Sequence, residues 1–356
     1  MHKIVKKAEG LRQKSQYRES RLLFTEALKG YTTKNDLEGI LHCQLALGDV
    51  CRMTGDFDDA LQHYRRAITT AKKMKDPVSM ADAQINIGLA FRGKGDWKNA
   101  LKMSGTALDF YLQHSDAAAT AFALWAIAGT LRIKGDIPAA ISTYKEALKL
   151  FRKLGSEASA GYCLCGLGGT HRIAGKFRRS LEYYETANAL FTELNDGFGR
   201  AYSYCGTGNA CRMLGDYKNA LLNFKRASAI YGRIGDRVSY AYTVWSIGTT
   251  HKLTGDYDKA VAEFKKAEGL FRETKDPRGL IYAHLGLAEI ALLRGKKKTA
   301  EAAITRCLAS ASRFGFMVEK CHAGMMLSNL KGSARTGCYK KLGLDLHFTE
   351  PPFNIP

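Results

Sequence analysis

The sequence contains little proline and no long apolar run. Six prolines in 356 residues leave most of the chain free to form uninterrupted helices. A stretch of about 18 consecutive apolar residues, as a membrane-spanning helix needs, does not occur. Residues 1–7 carry basic side chains but are not followed by the apolar core of a secretory signal. These absences predict a soluble protein that is not exported.

Catalytic and metal-binding motifs are missing as well. The chain has no phosphate-binding loop, no Gly-x-Ser-x-Gly motif and no His-Glu-x-x-His motif. Cys163 and Cys165 are expected on different faces of one helix. Equivalent positions of neighbouring hairpins lie about 10 Å apart, which is too far for two side chains to share a zinc ion. We therefore expect neither an enzyme nor a bound metal or cofactor.

Cysteine and charge describe the environment of the chain. Nine cysteines, an odd number spread through helical pattern, predict reduced thiols rather than a disulfide framework, and hence a cytoplasmic location. The formal net charge is +20, from 54 basic and 34 acidic residues. Such an excess favours polyanions, acidic proteins or anionic membrane surfaces without choosing among them.

One glycine recurs at every fortieth residue, and Ser15 occupies the same position near the N-terminus. An invariant period of this kind is typical of stacked copies of one supersecondary unit. Each unit is numbered 1 to 40 below with the glycine at unit position 15, so that unit one is 1–40 and unit eight is 281–320. The recurrent glycines are Gly55, Gly95, Gly135, Gly175, Gly215, Gly255 and Gly295.

Every unit contains the boundary signals of two helices. Position 36 holds a good N-cap residue, followed by proline at Pro77 and Pro277. A first helix of about 17 residues should end at the glycine, in a left-handed conformation. The aspartate common at position 16 should then cap a second helix over positions 17–34. The N-cap residues at position 36 are Asp36, Asp76, Asp116, Ser156, Asp196, Asp236 and Asp276.

Small residues recur at two packing positions. Position 8 is Gly or Ala and position 20 is Ala or Ser in units two to eight, which lets two helices approach closely. In unit six the resulting pattern is Gly208, Gly215, Tyr217, Ala220, Phe224 and Ala227. This pattern resembles the tetratricopeptide repeat (TPR), whose usual period is about 34 residues. The 40-residue period is more similar to the longer repeats of the LGN/Pins and kinesin light chain families.

The repeats and the resemblance together predict an all-α fold. We expect a right-handed α-solenoid of about eight TPR hairpins over residues 1–315, with the first unit truncated at its N-terminus. A capping helix should follow over 316–330. The remaining residues, 331–356, are expected to form an extended tail that docks on the cap, stays flexible or engages a partner.

Positions 2, 5, 9 and 12 share one face of the first helix, and the resemblance implies that this face lines a concave groove. Position 12 is basic in unit after unit, positions 2 and 5 are often aromatic, and Asn209 at position 9 could bond a peptide group. Acids occur at position 9 only toward the ends, as Asp49 and Glu289. The candidate groove residues are Arg52, Arg92, Arg132, Arg172, Arg212, Lys252, Phe122, Trp125, Tyr162, Tyr202, Asn209, Tyr242, Trp245 and Tyr282.

Two structural alternatives to a groove remain open from sequence alone. The rings could pack between neighbouring hairpins, and each arginine could pair with the aspartate four residues later. Arg172 argues against the second alternative, because it is retained where Lys176 replaces the acid.

These features predict a protein-interaction scaffold or adaptor. Its basic, aromatic-lined groove would bind an extended partner segment that is acidic or both acidic and hydrophobic. The alternatives are a solenoid that binds single-stranded nucleic acid and a receptor for a small anionic ligand or signalling peptide.

Overall fold

The computed structural model describes residues 1–332 and 336–356 and confirms the predicted all-α solenoid. Consecutive helices form antiparallel hairpins that stack into a right-handed superhelix. The helices are α1 (His2–Gln13), α2 (Tyr17–Thr33), α3 (Leu37–Thr54), α4 (Phe57–Met74), α5 (Pro77–Gly93), α6 (Trp97–Gln113), α7 (Ala117–Lys134), α8 (Ile137–Lys153), α9 (Glu157–Ile173), α10 (Phe177–Glu193), α11 (Gly197–Met213), α12 (Tyr217–Ile234), α13 (Arg237–Leu253), α14 (Tyr257–Glu273), α15 (Pro277–Leu293), α16 (Lys297–Phe314), α17 (Met317–Leu330) and α18 (Gly337–Lys341).

The helix boundaries follow the repeated turn residues. All seven recurrent glycines have positive φ, between 74° at Gly95 and 95° at Gly135, and Ser15 adopts the same left-handed conformation with φ 57°. The aspartates at position 36 accept a hydrogen bond from the backbone N–H three residues later, as in Asp236 with Ser239. Ser156 makes no such bond. The predicted turn chemistry is thus confirmed at the glycines and at every aspartate of position 36.

In most hairpins an aromatic ring of the second helix packs against the small residue at position 8 of the first helix. A Cβ built on the glycine at position 8 would press on the ring at position 24 of the second helix, as at Gly168 on Tyr184 and at Gly248 on Phe264. The small side chain predicted at position 8 therefore accommodates a ring as well as the facing helix. Because the ring crosses the hairpin, the Tyr64 hydroxyl reaches the concave face and donates to Asp49 at 2.8 Å.

Successive turns of the superhelix touch one another. The loop after α3 meets α13, where Arg237 donates to the Thr54 carbonyl at 2.8 Å and to Asp56 at 2.5 Å. Further along, the Trp97 indole donates to the Phe314 carbonyl at 2.9 Å. These contacts join residues about 180 to 220 positions apart in the chain, so the concave face is partly covered by the following turn.

The residues after the repeats differ from the sequence-based expectation in one respect. Cys321 of α17 and Cys338 of α18 form a disulfide, so the prediction of nine reduced thiols is wrong for this pair. The two Cα atoms lie 5.6 Å apart, within the range that a disulfide spans. The other seven cysteines are free.

The last residues do not rest on the cap alone. Residues 344–356 return into the solenoid, and Leu344, Leu346, Phe353 and Ile355 are all buried there. The Asp345 N–H donates to the Ala174 carbonyl at 3.1 Å, which places this segment across the turn of unit five. Within the described residues, none of the helices has the length and apolar character needed to cross a lipid bilayer.

Candidate functional site

The concave face encloses a cavity of about 1500 Å³. Its walls come from α1, α3, α5 and α7, from the turn between α1 and α2, and from the N-terminal parts of α9, α11, α13 and α15. Eight of the fourteen candidate residues line it, namely Arg52, Arg92, Arg132, Phe122, Trp125, Tyr162, Tyr202 and Tyr242. The structure places six others away from this cavity, namely Arg172, Asn209, Arg212, Trp245, Lys252 and Tyr282.

At four places in the column, the basic side chain at position 12 points toward position 9 of the next unit, 37 residues ahead. At the N-terminal end Arg12 bonds Asp49 at 3.3 Å, and at the C-terminal end Lys252 bonds Glu289 at 2.6 Å. In the middle, Arg92 lies over Gly129 and Arg132 lies over Gly169, where a Cβ would be 2.8 Å from the Arg132 Nη1. Glycine has no side chain with which to neutralise the cation.

Arg92 and Arg132 have no carboxylate partner within 4.0 Å among residues 1–332 and 336–356. The main groups that act electrostatically on both are the hydroxyls of Tyr144 and Tyr202. Burial lowers the pKa of Arg92, and the positive charge of Arg132 adds to this effect. Within the same described ranges, the buried Nε of Arg132 has no hydrogen-bond acceptor. The middle of the groove therefore holds uncompensated positive charge.

The local alternative for the arginines is not what the structure shows. Asp56 bonds Arg21 and Arg237 rather than Arg52, and Asp136 bonds Lys134. In the described part of the chain, no arginine of position 12 forms an ion pair with the acid four residues later. Local pairing with that acid therefore does not account for the arginines of position 12.

The aromatic candidates divide into two sets. Phe122 stacks on Trp125 with ring centroids 5.5 Å apart, and the Arg92 guanidinium lies 5.0 Å from the Trp125 ring, beside the cavity. In contrast, Trp245 and Tyr282 pack against each other between hairpins at 4.9 Å, and both are buried. The packing alternative therefore describes Trp245 and Tyr282, while Phe122 and Trp125 line the cavity.

Three further tyrosines line the cavity, and one of them is bonded to an acid. The Tyr162 hydroxyl donates to Asp196 at 2.6 Å, and burial followed by this contact raises the pKa of Tyr162. Tyr242 stands edge-on to Phe271 at 4.8 Å. Tyr202 contacts Phe198 with a tilted geometry at 6.4 Å and remains half-buried.

In the C-terminal half of the groove, the position-12 cations bind the chain's own tail. Arg212 is fully buried and donates to the Ile355 carbonyl at 3.0 Å, to the Asn354 side chain and to Asn209 at 3.2 Å. Lys252 is 2% exposed and donates to the Phe353 carbonyl at 2.7 Å. Neither cation is available to an incoming ligand while the tail is docked.

Arg172 lies between these two halves. Its Nε and Nη1 are buried and have no hydrogen-bond partner in residues 1–332 and 336–356. Its charge acts on Tyr184 near the cavity and on Arg212 beside the tail, and burial together with Arg172 lowers the pKa of Arg212 to about 9.

Sequence reasoning missed Arg200 and Arg278, which also line the cavity. Arg278 lies one turn before Tyr282 and bonds Glu319 at 2.6 Å, whereas the Nε of Arg200 has no partner within the described ranges. Extending the groove face one turn toward the helix N-terminus would have found Arg278. No sequence signal of comparable clarity marks Arg200.

Metal-ligating residues do not converge in the structure. Within the two described ranges, no group of three or more His, Cys, Asp or Glu side chains could hold a metal ion. His171 at position 11 is buried, and burial with the nearby charge of Arg179 lowers its pKa to about 4. It stacks on Tyr183 at 5.3 Å, which makes it a packing residue.

Comparisons with known proteins agree with this architecture. The tetratricopeptide repeat model matches residues 4–73, 79–153 and 161–233, and the model of anaphase-promoting complex subunit 5 matches residues 207–309. No curated protein sequence matches the chain.

Three solved structures share the fold over almost the whole chain. One is a Rap conjugation gene regulator of plasmid pLS20 in complex with the Phr* peptide, at 14% identity and TM-score 0.67, covering 88% of this chain and 95% of that one. Another is NprR in complex with its cognate peptide NprX, at 14% identity and TM-score 0.64, covering 96% of this chain and 97% of that one. The third is a Rap protein complexed with competence and sporulation factor, at 16% identity and TM-score 0.62, covering 95% of this chain and 97% of that one.

The three matches of the repeat model together span more than half of the chain and follow the hairpins from α1 to α12. With the repeated glycine turns and the stacked hairpins, they establish that the chain belongs to the tetratricopeptide repeat family.

Proposed function

We propose that the chain is a cytoplasmic interaction scaffold whose cavity binds an extended peptide or protein segment carrying carboxylates. The observation that carries this proposal is the charge of the groove middle. The ends of the position-12 column are neutralised by Asp49 and Glu289, whereas Arg92 and Arg132 face glycines and have no acid within the described residues. A ligand carboxylate would supply the missing partner through a charge-assisted hydrogen bond.

The spacing of the cations suggests a ligand pattern. Arg92 and Arg132 belong to adjacent hairpins, which pack about 10 Å apart. An extended peptide advances about 3.3 Å per residue, so carboxylates three residues apart would meet successive arginines. Phe122 and Trp125 form an apolar wall beside them for the residues between.

The proteins of similar fold offer circumstantial support. Two of them were solved with a peptide bound, Phr* in one case and NprX in the other. At 14% identity they support a groove of suitable shape for a peptide and say nothing about the ligand's sequence.

Single-stranded nucleic acid is the less favoured ligand. Base stacking needs free aromatic faces, but Phe122 and Trp125 cover each other and Arg92 covers Trp125. Tyr162 is held by Asp196 and would bring a carboxylate close to a phosphate. A small anionic molecule would satisfy the arginines, yet it would leave much of the 1500 Å³ cavity unfilled. We therefore propose binding rather than catalysis, with a peptide as the ligand.

The test uses two labelled peptides of equal composition, each with two glutamates, which lie three residues apart in one peptide and two residues apart in the other. Fluorescence anisotropy should show tighter binding of the first. Arg92→Glu with Arg132→Glu should weaken it at least tenfold, or by about 1.4 kcal/mol. Arg132→Gln, which removes charge without reversing it, should give an intermediate loss.

Arg65→Glu with Arg66→Glu is the matched control, because it changes the net charge equally at exposed positions of α4. It should alter binding less than twofold. Equal losses for both double variants, with circular dichroism showing intact helices, would mean that only the overall charge matters and would contradict the groove model. A labelled oligonucleotide that bound more tightly than either peptide would favour nucleic acid instead.

A further inference from the structure

The C-terminal segment, residues 344–356, is bound in the way that a separate peptide would be. It has no helix or strand of its own, and the backbone of residues 353–355 is bound by groove side chains distant in sequence. Lys252 donates to the Phe353 carbonyl at 2.7 Å and Arg212 donates to the Ile355 carbonyl at 3.0 Å. In the opposite direction, the Phe353 N–H donates to Glu289.

Side chains of the segment add specificity to this backbone recognition. The Asn354 amide donates to the Arg212 carbonyl at 3.0 Å, and its oxygen accepts from the Arg212 guanidinium. The flanking Phe353 and Ile355 are 1% and 4% exposed. Phe348 packs edge-on against Phe353 at 6.1 Å. The bound pattern is therefore apolar, polar, apolar in an extended chain.

The cap holds the start of the segment, where Asn329 of α17 donates to the Thr349 carbonyl at 3.2 Å, whereas residues 353–355 are bound by side chains of the repeats. Arg212 and Lys252 occupy unit position 12, and Glu289 occupies position 9 in the next unit, as in the rest of the groove. Glu289 neutralises Lys252 at 2.6 Å, and Arg212 donates to neutral oxygens of Asn209, Asn354 and Ile355, so an uncharged segment satisfies the donors of this half. The chemistry of the site thus differs from that of the arginine-lined cavity, and it does not depend on the function proposed above.

We propose that the groove of units six to eight is a second peptide-binding site, for an extended uncharged segment of the Phe-Asn-Ile type, and that residues 344–356 occupy it as an intramolecular ligand. A partner segment of the same chemistry gains access only by displacing the tail. A tethered ligand has an effective concentration in the millimolar range for short linkers, so a free peptide competes poorly with it.

The turn of unit five provides a way to undock the tail without touching its own side chains. At Gly175 a Cβ would meet the carbonyl group of Asp345. Gly215 has the same backbone conformation, with φ 86° against 84°, but the described residues place no atom within 4 Å of a Cβ there. Gly175→Ala and Gly215→Ala therefore share the backbone strain, and the first alone obstructs the tail.

The probe is a labelled synthetic peptide with the sequence of residues 348–356, added to the full chain and followed by fluorescence anisotropy. Gly175→Ala should bind it at least tenfold more tightly than the wild type, while Gly215→Ala should match the wild type. Phe353→Asp, which places a charge in the apolar pocket of the docked tail, should also increase binding. A probe in which the residue equivalent to Asn354 is alanine should bind more weakly to both undocked variants.

Either of two results would overturn the proposal. Absence of probe binding to both Gly175→Ala and Phe353→Asp, with each variant shown to be folded by circular dichroism, would mean that the site is not a peptide receptor. Equal binding to the wild type and to both variants would mean that the tail does not occupy the site. Hydrogen exchange of residues 344–356 gives an independent readout, and it should become faster in Gly175→Ala but not in Gly215→Ala.

Discussion

The two halves of the concave face use the same column of basic side chains in opposite ways. Around Arg92 and Arg132 the column faces glycine and an enclosed cavity, and its charge is not neutralised within the described residues. Around Arg212 and Lys252 the column faces Asn209, Glu289 and the docked tail, and most of its donors have acceptors. The residue at position 9 differs between the halves, with Gly129 and Gly169 beside Arg92 and Arg132 but Asn209 and Glu289 beside Arg212 and Lys252, so repeats of one fold carry two binding chemistries.

Removing the acid of the occupied half should have the largest effect. Glu289 and Lys252 are almost completely buried, and Glu289→Ala would leave a buried ammonium group with one carbonyl acceptor. Loss of one partner of a buried ion pair costs about 3–5 kcal/mol, and we expect that loss in the free energy of unfolding measured with urea. The tail should also undock, because Phe353 loses its acceptor.

The double variant Lys252→Met with Glu289→Leu is the control for this prediction. It removes both charges and should restore most of the free energy of unfolding, because an apolar pair of similar volume needs no partner. If Glu289→Ala lost less than 1 kcal/mol, the two groups would not form the buried pair described here.

The two halves should also respond to acid with opposite signs. His322 is fully buried against the tail, and its neighbours are Glu319, Arg278, Arg172, Tyr282 and Tyr339. Burial lowers the pKa of His322 to about 4. The ordinary pKa of a histidine is 6.5, so below pH 6.5 His322 takes up a proton in the unfolded chain but not in the folded chain. The contribution of neutral His322 to the free energy of unfolding is therefore lost as the pH falls from 6.5 to 4. His322→Gln should remove up to about 3 kcal/mol of this dependence, measured as Tm against pH.

Asp236, in the cavity wall, provides the opposing case. Burial raises its pKa from 3.8 to about 6, so its contribution favours the folded state at low pH and is lost as the pH rises from 3.8 to 6. Asp236→Asn keeps an N-cap residue but cannot take up the proton. The loss of stability in this variant, measured against the wild type, should therefore be larger at pH 4 than at pH 7. Parallel curves for the wild type and both variants would show that these groups titrate normally.

Adding a carboxylate beside Arg92, in the half of the groove that lacks one, should have a smaller effect. Gly129→Glu places a carboxylate beside Arg92, in the relation that Asp49 has to Arg12. Binding of the acidic peptide should weaken about tenfold, equivalent to about 1.4 kcal/mol. The Tm should stay constant or rise, because glutamate is a better helix former than glycine by up to about 1 kcal/mol.

Gly105→Glu serves as its control, since it adds the same charge to α6 where the described residues leave the Cβ open space. Peptide affinity should fall less than twofold in this variant. An equal fall in both variants would indicate a general charge effect rather than neutralisation of Arg92.

The sequence predicted the hairpins well because their determinants are local. The glycine at position 15 and the caps at position 36 act within one turn of the chain, and the structure has helix boundaries where these residues occur. The acids at Asp49 and Glu289 also pointed to a basic groove centred on the middle units. The contacts of Arg12 with Asp49 and of Lys252 with Glu289 in the next unit were not predicted, because they depend on how hairpins stack.

The tail could not be placed from the sequence for the same reason. The prolines and aromatics of residues 344–356 are compatible with docking, flexibility or partner binding, and only the curvature of the superhelix brings Ala174 against Asp345. The disulfide of Cys321 and Cys338 was missed because spacing in a helical segment does not give the angle between α17 and α18. Tyr282 was placed in the groove, but it packs against Trp245 instead.

Where a cation and the residue that it faces are 37 positions apart, they belong to neighbouring units. The charge of the groove there depends on pairs of units and not on single units. Removing or duplicating one whole 40-residue unit would preserve every hairpin and every turn. It would nevertheless bring a new pair of positions together, for example Arg52 over Gly129 if residues 81–120 were absent. The number of units therefore sets the length of the groove, while the order of residues at position 9 sets its charge, and the two properties can vary independently of each other.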